Sequence, residues 1–157
     1  MNFLDALNTK VSDIEKPARL PVGTYVWAVN KPHKESTSKD GAWSTVEVPC
    51  VPKFPYDDAE DVNADELSAF GDLKQGSNSI RFMFPNDPDK ENERKQTLYN
   101  LRRFLIDTLQ VEGDDDSTVK ELLAKAVGME FVAQAAHRHV PERDETYVDV
   151  KNWAPMA

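Results

Sequence analysis

The sequence predicts one mainly β domain, with five short antiparallel strands and a single long helix between the third and the fourth. Three observations predict it. Short stretches with apolar residues at every second position recur between turns rich in Pro, Gly and Asp. Only one segment, Lys90–Leu109, keeps a helical apolar period over many turns without Pro or Gly. The chain has 157 residues, enough for one real core and too few for two ordinary ones.

Composition narrows the class. Apolar residues make up 39% and charged residues 30%, which suits a folded globular chain and excludes full disorder. No apolar run approaches the roughly 20 residues of a membrane span. Asp5 and Asn8 interrupt the apolar residues at the start, so neither a signal peptide nor a membrane partner is expected. Cys50 is the only cysteine, which excludes an internal disulfide and a multi-cysteine zinc site and suits a reducing cytoplasm. The net charge of −9 argues against coating nucleic acid over the whole surface. It leaves room for a local basic groove, because salt screens charges beyond about 8–10 Å.

The elements follow in order. Residues 1–20 precede the domain as a tail or a short amphipathic helix. Phe3, Leu7, Val11 and Ile14 recur there at helical spacing, Asn2 and Asp5 can cap the start, and Pro17 and Pro21 end it. So short a helix is ordered only if something covers its stripe. The domain proper is expected over 21–157. Thr24–Asn30 is the first strand, apolar on both faces and so buried on both, which makes Tyr25 and Trp27 core residues. Lys31–Ala42 reads as a polar loop with an Asp40-Gly41 turn. Trp43–Val51 is the second strand. Val46, Val48 and Cys50 face the core, Trp43, Thr45 and Glu47 face outward, and Pro49 and Pro52 impose an edge or a bulge.

The region 53–78 is expected to be a long, solvated, acidic insertion in a hairpin, with a short helix inside Val62–Phe70. Ser79–Phe84 is the third strand, with Ile80, Phe82 and Phe84 inward and Arg81 and Met83 outward. In the Lys90–Leu109 helix, Leu98, Leu101, Leu105 and Leu109 form the apolar stripe, widened by Phe104. An acidic turn over Gly113–Ser117 leads to a shorter helix capped by Ser117. Met129–Ala136 is the fourth strand, His137–Thr146 a loop, and Tyr147–Asn152 the fifth strand. Strand, strand, strand, helix, strand, strand is the connectivity of the five-stranded OB-fold barrel.

Further residues carry a resemblance. Leu20-Pro21-Val22-Gly23-Thr24-Tyr25 opens the first strand, a polar turn leads into Trp43, and Gln96–Leu109 is leucine-rich. The Leu122–Val127 segment runs straight into a strand. In these features, over roughly residues 20–153, the chain resembles small bacteriophage proteins, often left as domains of unknown function, that look like OB-fold single-stranded-DNA-binding proteins. The resemblance implies a non-catalytic protein of DNA replication or recombination in the cytoplasm of the infected bacterial host. Many such binders end in an acidic tail with a terminal aromatic residue, whereas this chain ends Asn152-Trp153-Ala154-Pro155-Met156-Ala157. The acidic insertion is then the stand-in for recruiting partner proteins.

Catalytic motifs are absent: the glycines form neither a phosphate-cradling loop nor a GxSxG elbow. His137 and His139 share a strand face but have no third ligand, and runs such as Asp114-Asp115-Asp116 read as solvated charge. No enzyme activity, metal or cofactor is expected. Sequence-tolerant single-strand binding instead needs aromatic faces and cations. On an OB barrel these lie on the second and third strands and in the first and last loops. Trp43 and Arg81 are the candidates on the strands, Lys31, Lys34 and Lys39 in the first loop, and Arg138 and Arg143 in the last. If the two strands pair, Trp43 sets an aromatic plane beside the Arg81 cation. The expected partners are single-stranded DNA, replication or recombination proteins, and a second copy docked through Phe3, Leu7, Val11 and Ile14. The alternative is an acidic protein-interaction module, such as a phage factor that binds or inhibits a host protein.

Overall fold

The computed structural model describes residues 2–156; Met1 of the N-terminal segment and Ala157 of the predicted domain lie outside the described residues. Six strands form one antiparallel open sheet: β1 (Gly23–Val29), β2 (Lys34–Thr37), β3 (Trp43–Pro55), β4 (Asn78–Pro85), β5 (Glu130–Val140) and β6 (Glu145–Ala154). The long strand β3 is the spine. Its first half pairs with β4 on one edge and β2 on the other, and its second half pairs with β1. β1 then pairs with β5, and β5 with β6.

Two expectations are corrected here. The strands number six instead of five, and the sheet stays open instead of closing into a barrel. The added strand, β2, is exposed at every position, so it carries no apolar alternation and reads as loop. Backbone pairing with β3, Lys34 opposite Glu47 through Thr37 opposite Ser44, makes it a strand. The free edges of β4 and β6 are joined by no ladder among the described residues. One side-chain bond, from Asn78 Nδ2 to the Val148 carbonyl at 2.7 Å, spans them. Farther along, the Trp153 ring stands 5.7 Å from Phe82 and 5.0 Å from Phe104.

Burial follows the predicted faces. β1 is covered on both sides, with Tyr25 and Trp27 fully enclosed; their polar tips bond the Pro21 and Ala133 carbonyls at 2.8 and 3.1 Å. Val48, Cys50, Ile80 and Phe82 are buried while Arg81 and Met83 point out. The prolines of β3 coincide with a bulge: Val26 faces Phe54 but Trp27 faces Pro52, leaving Lys53 unpaired. A second irregularity lies between Val132 and Gln134 of β5, where Asn152 of β6 takes a positive φ of 57° and Trp153 packs into the core.

The helices are α1 (Phe3–Leu7), α2 (Ala64–Phe70), α3 (Glu91–Arg103) and α4 (Val119–Lys125). The apolar stripe of the N-terminal segment is uncovered, with Phe3, Leu7, Val11 and Ile14 each at least 64% exposed. Ion pairs Lys16–Asp144 and Arg19–Glu145 tie its end to the turn between β5 and β6. Among the described residues no helix is long and apolar enough to cross a membrane.

The acidic insertion is not wholly solvated. Phe70 is buried, and Val62, Leu67 and Leu73 pack against the core. Asp61 accepts hydrogen bonds from the backbone N–H and the hydroxyl of Thr24, both 2.8 Å. In α3 the stripe is displaced from the expected one: Leu98 is 46% exposed, and Leu101, Phe104, Leu105, Thr108 and Leu109 are buried. The helix continues through a π-type turn over Phe104–Thr108, in which the Leu109 N–H reaches the Phe104 carbonyl. α4 is capped by Thr118 in a capping box with Glu121, not by Ser117, whose hydroxyl accepts from the Asp114 N–H within the preceding turn. The last hairpin is longer and tighter than expected. His137, Arg138 and His139 are strand residues, and only Pro141–Asp144 turns.

Candidate nucleic-acid interface

The register of β2, β3 and β4 builds the outward sheet face row by row. Lys34, Glu47 and Arg81 lie opposite one another, and Ser36, Thr45 and Met83 form the next row. Trp43 lies opposite Pro85 at the end. Trp43 and Arg81 therefore share the face but stand two rows apart, about 13 Å along the strands. Arg81 is engaged by Glu47, Nε to Oε1 at 3.0 Å. Trp43, 36% exposed, has the Lys90 ammonium 5.9 Å from its ring centroid. The aromatic plane has its cation, but Lys90 supplies it.

The other predicted cations are dispersed around this face. Lys34 is on β2, Lys31 lies in the break between β1 and β2, and Lys39 lies in the turn before Trp43; all three are exposed. Arg138 is on β5 and not in a loop. Its guanidinium bonds the Asp149 carboxylate at 3.0 and 3.5 Å and lies 5.2 Å from the Tyr147 ring centroid. Arg143 is exposed in the final turn. His137 and His139 are bonded to the Leu20 carbonyl at 2.7 Å and the Thr146 hydroxyl at 3.2 Å. Among the described residues no three His, Cys, Asp or Glu side chains converge on a metal site. Cys50 is buried, and desolvation pushes its thiol up to about 12.

Sequence reasoning missed two aromatic–cation pairs. Arg103 stands 6.0 Å from the ring centroid of Tyr99 one helical turn earlier, a spacing visible in the sequence. Arg138 and Tyr147 meet only because the β5–β6 register sets them opposite each other, and nothing local signals that.

Two cavities flank the free edge of β4. One, of about 590 Å3, lies between β4 and β6 and is lined by Arg19, Arg81, Arg138, Tyr147 and Trp153 among others. The second, of about 370 Å3, lies between β4 and α3 and is lined by Arg81, Asn100, Arg103 and Trp153 among others. These groups can stack on planar rings, donate hydrogen bonds and neutralise anionic charge. No family model matches the chain, and no curated protein matches it in sequence.

Proposed function

We propose that this protein binds single-stranded DNA without regard to sequence, on an OB-fold-like sheet, and performs no chemistry of its own. One observation carries the reading: three solvent-exposed rings, Trp43, Tyr99 and Tyr147, each have a cation within 6.0 Å of the ring centroid. Single-strand binders need this pairing, since every base offers a π-face and every nucleotide a phosphate. The strand order supports the fold. With β1 and β2 as two halves of one strand, the ladders β1–β3, β3–β4, β1–β5 and β5–β6 follow OB connectivity, with α3 between β4 and β5. In this reading the protein serves phage DNA replication or recombination in the cytoplasm of an infected bacterium.

The test is a titration with poly-dT at two salt concentrations, followed by tryptophan fluorescence. Trp27 is fully buried, so quenching reports on Trp43 and on the partly buried Trp153. Quenching that weakens as salt rises is expected, because bound cations release counterions. No response at micromolar protein in low salt would refute the reading. The net charge of −9 and the uncovered stripe of Phe3, Leu7, Val11 and Ile14 favour a second reading, an acidic module that docks on a host protein.

A further inference from the structure

We infer that the open seam along the free edge of β4 is the track for the sugar–phosphate backbone, and that carboxylates guard it. This rests on the single-strand-binding reading and adds where the strand lies and what limits its affinity. The two cavities flanking β4 adjoin at Arg81 and Trp153, which line both, and together they make up the proposed trough. Arg138 and Tyr147 line one part of it, and Arg103 lines the other. The cavities follow β4 from Asn78 to Met83, a span of about 20 Å, room for several nucleotides.

Each of its arginines is held by an acid: Arg19, 42% exposed, by Glu145 at 3.1 Å, and three more exposed ones by acids of their own. Arg138 pairs with Asp149 at 3.0 Å, Arg81 with Glu47 at 3.0 Å, and Arg103 with Asp107 at 3.7 Å. All three guanidinium groups are more than half exposed, and such pairs hold weakly in water. A phosphate offers the same bidentate acceptor geometry and displaces the carboxylate. The displaced carboxylate stays close by and repels the phosphate. Bound affinity is therefore held down by the acids of the seam itself, which reconciles a phosphate track with a chain of net charge −9.

The test compares poly-dT affinity and its salt slope for the full chain, Glu47→Gln with Asp149→Asn, and a control, Asp115→Asn with Asp116→Asn. The control removes the same charge from a turn that lines neither cavity and, among the described residues, pairs with no arginine of the trough, unlike Glu47 and Asp149. Each seam substitution should tighten binding about threefold at low salt, the effect of one charge about 6 Å away in water. The control should change it much less. A companion variant, Arg81→Gln with Arg138→Gln, should weaken binding and lower the salt slope. Melting curves on every variant establish that each is folded. Seam variants that bind as the control does, or more weakly than the full chain, would overturn the guarded track while leaving single-strand binding intact. Absence of poly-dT binding by every protein in the set would instead overturn the single-strand reading itself. If poly-glutamate displaces the strand stoichiometrically and binds the seam variants as tightly as poly-dT does, the trough is an acidic-peptide site and the inference fails.

Discussion

Asp61→Ala tests whether the acidic insertion is structural. The Asp61 carboxylate receives the Thr24 backbone N–H and hydroxyl, both at 2.8 Å, and Thr24 is only 8% exposed. Alanine removes both acceptors. The hydroxyl can turn elsewhere, but the N–H is left without a partner in a buried strand. Hydrogen bonds to a charged group contribute about 1.5–3 kcal/mol each, and an orphaned buried donor costs about 1–3 kcal/mol. The carboxylate itself is largely exposed, so the lower half of that range applies and the loss should be about 2–4 kcal/mol. For a chain this long that lowers the melting temperature by about 5–15 °C. Burial pushes the Asp61 carboxyl upward, but the two Thr24 bonds, together with its own backbone N–H, hold it below the usual carboxylate value. The sign follows: the carboxylate is the stabilising form, so its contribution is present above the ordinary Asp pKa and is lost as pH falls through the depressed one. Urea melts at neutral and acid pH, with hydrogen exchange at the Thr24 amide, measure the effect. An Asp61→Ala protein that is as stable as wild type at neutral pH, with Thr24 equally protected, would refute the anchoring role.

Trp43→Ala should weaken poly-dT binding about five- to 150-fold, the value of one stacked base, and should also cost about 2–4 kcal/mol for the area it covers. Trp43→Phe should keep most of both, and affinity and melting measured on the same samples separate the effects. Cys50 should resist a thiol reagent until the protein unfolds, since it is fully buried with its thiol pushed up to about 12; labelling within minutes in native buffer would contradict this. Burial, then Asp61 and Glu66, push the Tyr25 hydroxyl up from 10.0 to about 12, so stability should be intact below pH 10.0 and fall as pH rises towards 12. An alkaline melt that is flat across that range would contradict it. Removal of residues 1–15 should leave the melting temperature within about 2 °C, because that stripe is uncovered, and should return any self-associated protein to monomer mass in light scattering.

Local sequence pattern was enough to mark the buried faces of β1, β3, β4 and β5. Alternation along β3 and β4 separates Val48, Cys50, Ile80 and Phe82 from Trp43, Arg81 and Met83, and the double apolar face of β1 marks Tyr25 and Trp27 as core. It also located the main helix, an edge or a bulge at the prolines of β3, and the burial of Cys50. These properties are local: a strand's period of two and a proline's missing N–H act on neighbouring residues whatever the rest of the chain does. β2 is a product of long-range pairing, because a strand exposed at every position exists through its ladder with β3 and leaves no apolar trace. The tertiary structure also decided that Arg94 and not Leu98 turns inward on α3, where the guanidinium bonds the Pro85 and Asp87 carbonyls at 3.0 and 3.1 Å. The same holds for the candidate site. Exposed Trp43 and Arg81 were legible, but their partners Lys90 and Glu47 were not, nor was the meeting of Arg138 with Tyr147. Periodicity tells a side chain which way to face, whereas its neighbour across the sheet is set by register, and register is fixed by packing among residues far apart in the chain.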